Sequence, residues 1–143
     1  MDFEPEVWGP HYWFFLHTLC ISYPKKANSV TKKKYYDFIQ NLPLFIPHED
    51  IGNLFSKLLD KYPVSPYLET RESFMKWVHY IHNIINKQLG KNVMSYEEFV
   101  DTYYSLYKPQ DLVDKSKYTF QKNLTYLVVI ICLIFIGISL YKL

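Results

Sequence analysis

The chain has 143 residues, a formal net charge of +2 at pH 7 and an aromatic content of 19%, which suits one compact domain with a core of its own. The small charge, with no basic stripe among stacking aromatics, excludes nucleic acid as a predicted partner. The cysteines, Cys20 and Cys132, are too few and too far apart in sequence for a disulfide framework or a metal-binding CxxC pair, so no disulfide within the chain is predicted.

Helical signals dominate the sequence up to about residue 108, and the alternation typical of strands is almost absent, so this part is predicted to be all-α. Pro10 suits the first turn of the first helix and Pro24 ends that helix, while Gly90 is placed to cap the fourth. The run "SYEE" at Ser95–Glu98 is a capping box that opens the fifth. The five predicted helices cover about residues 10–23, 31–41, 47–62, 70–89 and 95–108.

The stretch "LTYLVVIICLIFIGISLY", residues 124–141, carries no charged residue. At about 1.5 Å per residue, a helix of this length just reaches across the roughly 30 Å hydrocarbon layer of a bilayer. We therefore expect one transmembrane helix here, preceded by a polar linker over residues 109–123. Several lysines precede the stretch and only Lys142 follows it, which places the globular domain, residues 1–108, on the cytosolic side of the membrane.

Two stripes of side chains follow the fourth predicted helix at spacings of three and four residues. One is apolar and is expected to face a bundle core. The other is polar and can hydrogen-bond a polar heterocycle, while nearby lysines can neutralise its phosphates, although each feature alone is more often structural. The two histidines have no third ligand in view, so no metal site is predicted. The polar stripe consists of His79, His82, Asn83 and Asn86, and the lysines are Lys87 and Lys91.

Two motifs resemble the Erv/ALR family of FAD-linked sulfhydryl oxidases over about residues 8–108. The run "WGPHYWFFLHTLCISYP" is similar to the family's opening, and "WVHYIHNIINKQLGK" is similar to its flavin signature. The resemblance implies a four-helix bundle with a short fifth helix, often a homodimer, with FAD as its cofactor. It further implies that FAD is bordered by Trp13, His17, Trp77, His82, Asn83, Asn86 and Lys87, with Lys91 as a phosphate contact.

The cysteine pair on which the family's chemistry depends is missing from this sequence. In active members a Pro-Cys-x-x-Cys lies at the start of the third helix, where one thiolate attacks the flavin and the other cysteine takes electrons from a substrate dithiol. Aligning backwards from "DKYP" places His48 and Ile51 at the two positions, and aligning forwards from "FIQNLP" places Leu44 and Pro47 there. Neither alignment supplies a sulfur, and Cys20 alone cannot form the internal disulfide that the mechanism requires.

Three hypotheses follow for the function. The first is a membrane-anchored, FAD-binding member of the family that has lost the dithiol reaction and acts as a scaffold or pairing partner. The second is an active FAD-dependent thiol oxidase that acts on a thiol protein substrate through an unconventional thiol or a cysteine of a partner subunit. The third is a flavin-free helical adaptor. Resemblance to the oxidases of large DNA viruses, which act on the cytosolic side, adds a viral membrane as the expected location by analogy.

Overall fold

The computed structural model of the chain describes residues 3–108 and 110–141, with the backbone alone at 110–117, 133 and 135–141. The chain divides into two compact units, residues 1–104 and residues 105–143. Its α-helices are α1 Pro5–Ser22, α2 Ser29–Asn41, α3 Glu49–Lys61, α4 Arg71–Gln88, α5 Tyr96–Ser105 and α6 Gln110–Tyr141, with short 3-10 helices at Leu42–Phe45 and Ser65–Tyr67.

The all-α prediction is confirmed for the described residues, in which the only β-type pairing is an isolated bridge between Lys26 and Thr70. The first helix, however, begins at Pro5 and not at Pro10 as predicted. Both prolines suit a first helical turn, and the earlier one takes that position. Pro10 then lies inside α1, where it lacks the N–H that would donate to the carbonyl four residues earlier.

The predicted caps of the fourth and fifth helices are confirmed. Gly90 follows α4 with a φ of 67°, a left-handed conformation that glycine adopts without steric cost. At the start of α5, the Ser95 N–H donates to Glu98 Oε2 at 2.8 Å, and the Glu98 N–H donates to Ser95 Oγ at 3.1 Å. These caps fix both ends of the connection between α4 and α5.

One apolar core unites α1 to α5, and α1 and α4 form its most extensive helix pair. Each buried aliphatic or aromatic side chain contributes about 1.5–3 kcal/mol relative to an exposed one, so the core supplies most of the stability of these short helices. Every one of the five helices takes part, with Cys20, Ile39, Phe55, Ile81 and Phe99 as buried members from α1 to α5 in turn.

Tyr23, directly after α1, fastens the end of that helix to the chain that enters α4. Its ring is fully buried, and its hydroxyl donates to the Leu68 carbonyl at 2.7 Å. Arg71 Nε, in the first turn of α4, donates in turn to the Tyr23 carbonyl. A buried hydroxyl left unpaired would cost stability, so these bonds help to hold the end of α1 against the start of α4.

α3 approaches the 3-10 helix Leu42–Phe45 so closely that Gly52 has no room for a side chain. A Cβ at Gly52 would lie 2.9 Å from the Pro43 carbonyl oxygen. The Gly52 N–H donates to the His48 carbonyl at 2.9 Å, which closes the first turn of α3. α3 begins at Glu49, with His48 as its N-cap residue, two residues after the predicted start at Pro47.

Residues 110–141 form one continuous helix, α6. The predicted linker, 109–123, is thus helical from Gln110 onward. No glycine or proline interrupts residues 110–123, which is consistent with a continuous helix. Within the described part of the chain, no helix is both long and apolar enough to span a membrane. The predicted transmembrane helix, 124–141, includes residues 133 and 135–141, whose side chains lie outside that part.

We expect Gly52→Ala to lower the free energy of unfolding by about 1–3 kcal/mol, the usual cost of overpacking a buried site. The opposing atom, the Pro43 oxygen, belongs to the backbone and cannot rotate away from the new methyl group. Denaturant titration of the purified chain, followed by circular dichroism, measures the change.

Gly9→Ala is the matched control, because a Cβ at Gly9 in α1 would meet no atom within 4 Å. Alanine at this helical position should leave stability unchanged or raise it by up to about 1 kcal/mol through its better helix propensity. Equal destabilisation by the two substitutions would contradict the close packing of Gly52.

Candidate functional site

A cavity of about 310 Å³ opens between the first half of α1, the 3-10 helix Leu42–Phe45, the start of α3 and the end of α4. Its walls are mainly apolar and aromatic, and the polar groups from α4 and the loop that follows it are His82, Asn86 and Lys91. An apolar cavity with a few placed polar groups is the usual form of a small-molecule site. The aromatic side chains that line it are Trp8, Tyr12, Trp13, Phe55 and Tyr103.

Trp13 and His82 place two aromatic rings face to face where α1 meets α4. Their ring centroids are 3.9 Å apart and their planes differ by 15°. Both residues line the cavity, and the ring of His17, one turn further along α1, lies 5.9 Å from the Trp13 indole. The structure thus brings together three of the residues predicted to border a flavin.

His17 and His82 share a hydrogen bond across the same helix pair. His17 is only 1% exposed, and its Nε2 lies 2.9 Å from His82 Nδ1. Burial lowers the pKa of His17 to about 3 and that of His82 to about 4, with smaller contributions from neighbouring imidazoles. Both rings are therefore neutral near pH 7, since protonation would place a poorly solvated charge in the core.

Asn83 and His79, two members of the polar stripe, hold the loop that follows α4. Asn83 Nδ2 donates to the Met94 carbonyl at 2.8 Å, and the Met94 N–H donates to Asn83 Oδ1 at 3.1 Å. His79 Nε2 lies 2.8 Å from the same carbonyl. The stripe is therefore divided: these two residues fix the loop that carries Lys91, and its other two members face the cavity.

Four of the eight residues predicted to border a flavin are not among the described residues that line the cavity: His17, Trp77, Asn83 and Lys87. Trp77 is 3% exposed and belongs to the core, with its Nε1 donating to the Tyr62 carbonyl at 2.9 Å. Lys87 is exposed near the end of α4. Lys91, by contrast, lies on the cavity wall, and its Nζ is 3.2 Å from the Glu6 carboxylate.

The two alignments of the missing cysteine pair lead to different places in the structure. In the backward alignment, Ile51 lines the cavity, and His48 is the N-cap residue of α3, with its Nδ1 buried and without a partner in the described residues. In the forward alignment, Leu44 and Pro47 are both exposed, Leu44 at 80%. Only the backward alignment puts one of the two positions that carry cysteine in active members on the cavity wall.

Cys20 does not replace the missing pair. Its side chain is fully buried in the core, and its Sγ donates to the His17 carbonyl at 3.1 Å. Burial raises the pKa of the Cys20 thiol to about 12. A thiol nucleophile must be accessible and ionised, so Cys20 is suited to packing and not to redox chemistry.

Sequence reasoning missed the aromatic residues at the start of α1 that line the cavity. Trp8 and Tyr12 are edge to face, with ring centroids 5.1 Å apart, and Tyr12 Oη donates to the Phe45 carbonyl at 2.8 Å. The signal was available, because Trp8, Tyr12 and Leu16 follow one another at intervals of four residues and therefore share a helix face. Tyr12 thus links α1 to the 3-10 helix across the cavity.

Comparison with known proteins matches this chain to a family. The Erv1 / Alr family model matches residues 10–105. A probable FAD-linked sulfhydryl oxidase of Acanthamoeba polyphaga mimivirus is 31% identical over 99 residues, which cover 68% of this chain and 69% of the relative. The FAD-linked sulfhydryl oxidase ERV1 of Arabidopsis thaliana is 32% identical over 85 residues, which cover 59% of this chain but only 44% of the relative.

The solved structure of the FAD-binding domain of Erv1 from Saccharomyces cerevisiae shares the fold. It superposes with a TM-score of 0.67 and 24% identity, over 71% of this chain and 95% of that domain. The matched family region contains Trp13, His17 and His82, the residues that join α1 to α4 beside the cavity. Since the family model spans more than half of the sequence and includes these residues, the chain belongs to the Erv1/Alr family.

Proposed function

We propose that the chain binds FAD in this cavity and has lost the oxidation of dithiols that the names of its relatives describe. One observation carries the proposal: the cavity combines stacked aromatic rings with polar groups, yet none of the described residues that line it is a cysteine. The relatives from mimivirus and Arabidopsis are named as FAD-linked sulfhydryl oxidases, which supports FAD as the ligand.

The residues present fit such a cofactor. Trp13 and the other aromatic side chains offer flat surfaces to a ring system. His82 and Asn86 carry hydrogen-bonding groups on the wall, and Lys91 offers a positive charge to a diphosphate. Bound FAD would supply a two-electron acceptor that oxygen can reoxidise. The chain's own part is to hold this group and exclude water from it.

The loss of the dithiol reaction is supported by what replaces the sulfur. Ile51, on the cavity wall, has a hydrocarbon side chain that cannot form a mixed disulfide. Cys20 is buried on the core side of α1, and its pKa is raised to about 12. The described helical domain therefore has no cysteine pair that could form a disulfide, be reduced by a thiol substrate and pass the electrons on as a thiolate.

Pairing with a second subunit is part of the proposal. Several large apolar side chains of α1 and the 3-10 helix Leu42–Phe45 remain exposed, among them Phe14 at 46%, Phe15 at 49% and Phe45 at 66%. Phe15 and Phe45, with Phe38, border a second apolar hollow of about 360 Å³. An apolar surface of this kind suits a protein partner, and we propose a second copy or a related subunit in that place.

The purified chain should carry FAD, and Lys91→Met should weaken FAD binding about threefold to tenfold, as expected for a partly exposed charge facing phosphates. Absorbance near ~450 nm detects the bound flavin, whose chromophore belongs to the cofactor. Quenching of flavin fluorescence during titration of the apoprotein gives the affinity.

Lys87→Met is the matched control for Lys91→Met, because both remove one lysine at the end of α4, but only Lys91 lines the cavity. Affinity should be unchanged in the control. A folded protein that ignores added FAD would refute flavin binding, and equal losses in the two variants would refute the assignment of the cavity.

The chain with bound FAD should not convert dithiothreitol and oxygen into hydrogen peroxide faster than free FAD does. Direct attack by a thiol from solvent forgoes the proximity of a tethered dithiol, whose effective concentration can reach about 10⁵ M or more. A coupled peroxidase assay measures the rate. Turnover above the free-flavin rate, retained in Cys20→Ser, would show that the chain is an active oxidase by another route.

Attachment to a membrane, with the helical domain on its cytosolic side, is proposed from the uncharged sequence of residues 124–141. The full chain should float with lipid vesicles in a density gradient, and a chain ending at residue 123 should stay at the bottom as a folded protein. Flotation of the shortened chain, or failure of the full chain to float, would contradict the anchor.

A further inference from the structure

The hydrogen bond between His17 and His82 leaves open which ring donates its proton. The facing nitrogens, His17 Nε2 and His82 Nδ1, are 2.9 Å apart. A neutral imidazole carries one N–H and one lone pair, and burial keeps both rings neutral. One ring must therefore donate and the other accept, and the choice determines what the second nitrogen of His82 presents to the cavity.

The surroundings of His17 discriminate between the two arrangements. Its ring packs against the aromatic rings of Phe99 at 4.7 Å and Tyr103 at 4.4 Å between centroids. Its second nitrogen, Nδ1, is buried and has no hydrogen-bond partner in the described part of the chain. If His82 donated, His17 Nδ1 would carry a proton with no acceptor, which is the rarer and costlier kind of unsatisfied buried group.

If His17 donates through Nε2–H, its Nδ1 carries only an unpaired lone pair among aromatic rings. Both histidines then carry their proton on Nε2, which is also the more stable tautomer of free neutral histidine. His82 Nδ1 accepts, and the proton of His82 lies on Nε2, the ring nitrogen that is not bonded to His17. His82 itself belongs to the cavity wall. The stack of Trp13 on His82, with planes 15° apart, fixes the plane in which that N–H points.

We infer that His17 is a positioning residue, which holds His82 in the Nε2–H tautomer so that His82 presents a hydrogen-bond donor to the cavity. The ligand chemistry that this donor selects is an acceptor atom, such as a ring nitrogen or a carbonyl oxygen of a flat heterocycle. Its role toward FAD rests on the proposed function, whereas the tautomer itself does not.

Nitrogen NMR of the full chain labelled with ¹⁵N-histidine tests the tautomer directly. In the wild type, His82 Nδ1 should resonate as a bare nitrogen and His82 Nε2 as a protonated one, with one population near pH 7. The reverse pattern would overturn the inference, and so would averaged shifts that indicate a mixture of tautomers. His82→Gln identifies the His82 signals by their disappearance.

His17→Phe and His17→Gln separate the hydrogen bond from the packing. Phenylalanine fills the aromatic site but donates nothing, so the His82 tautomers should mix and FAD affinity should fall about threefold to tenfold, the effect of one hydrogen bond. Glutamine carries an amide N–H of similar reach and should restore most of both properties. Unchanged His82 shifts and FAD affinity in a folded His17→Phe protein would overturn the positioning role.

The outcomes separate this inference from the proposed function. A wild-type protein that shows the Nε2–H tautomer but binds no FAD refutes the flavin proposal alone. A protein that binds FAD with the proton of His82 on Nδ1 refutes the positioning role alone. If His17→Phe does not fold, as judged by circular dichroism, the wild-type spectrum still decides the tautomer.

Discussion

A single hydrogen bond between α1 and α4 is the constraint on which the cavity depends. His17 and His82 meet through ring nitrogens 2.9 Å apart, and Trp13 stacks on His82 beside them. The His17 imidazole is buried, that of His82 is half-buried, and both are neutral near pH 7. The bond forms only when the two helices hold this register, and its loss would leave the buried His17 Nε2 without a partner. The pairing of α1 with α4 in the core therefore also fixes the cavity wall to which Trp13 and His82 belong.

The helices could be predicted from the sequence because their signals are local. Glycine at position 90 and the capping box at Ser95–Glu98 act within a few residues of themselves. The start of α1 was predicted at the wrong proline, since Pro5 and Pro10 both suit a first helical turn. The 3-10 helix Leu42–Phe45 was also missed, because so short an element has no periodicity to read.

Only part of the site could be predicted, because residue spacing shows which side chains share a helix face and not what they contact. Spacing places the members of the polar stripe on one face of α4, but it cannot show which partner each side chain finds. Asn83 and His79 are both engaged by the backbone of Met94, in the loop that follows α4. His82 and Asn86 are thereby left for the cavity. A single sequence gives no signal for hydrogen bonds between these side chains and a backbone 11 to 15 residues away, so the division of the stripe could not be predicted.

The folding of this domain and the chemistry of its family make separable demands on the start of α3. Folding requires a well-packed apolar side chain at Ile51, which is 8% exposed, and a glycine at position 52 beside the Pro43 carbonyl. Thiol oxidation requires an accessible thiolate. Neither the packing of Ile51 nor the close approach of Gly52 to Pro43 depends on one. The stacking and hydrogen-bonding groups of Trp13 and His82 lie on other helices. A wall without a sulfur at position 51 is therefore compatible with the stacking and hydrogen-bonding groups of Trp13 and His82, so a cavity that suits a ligand does not by itself imply thiol oxidation.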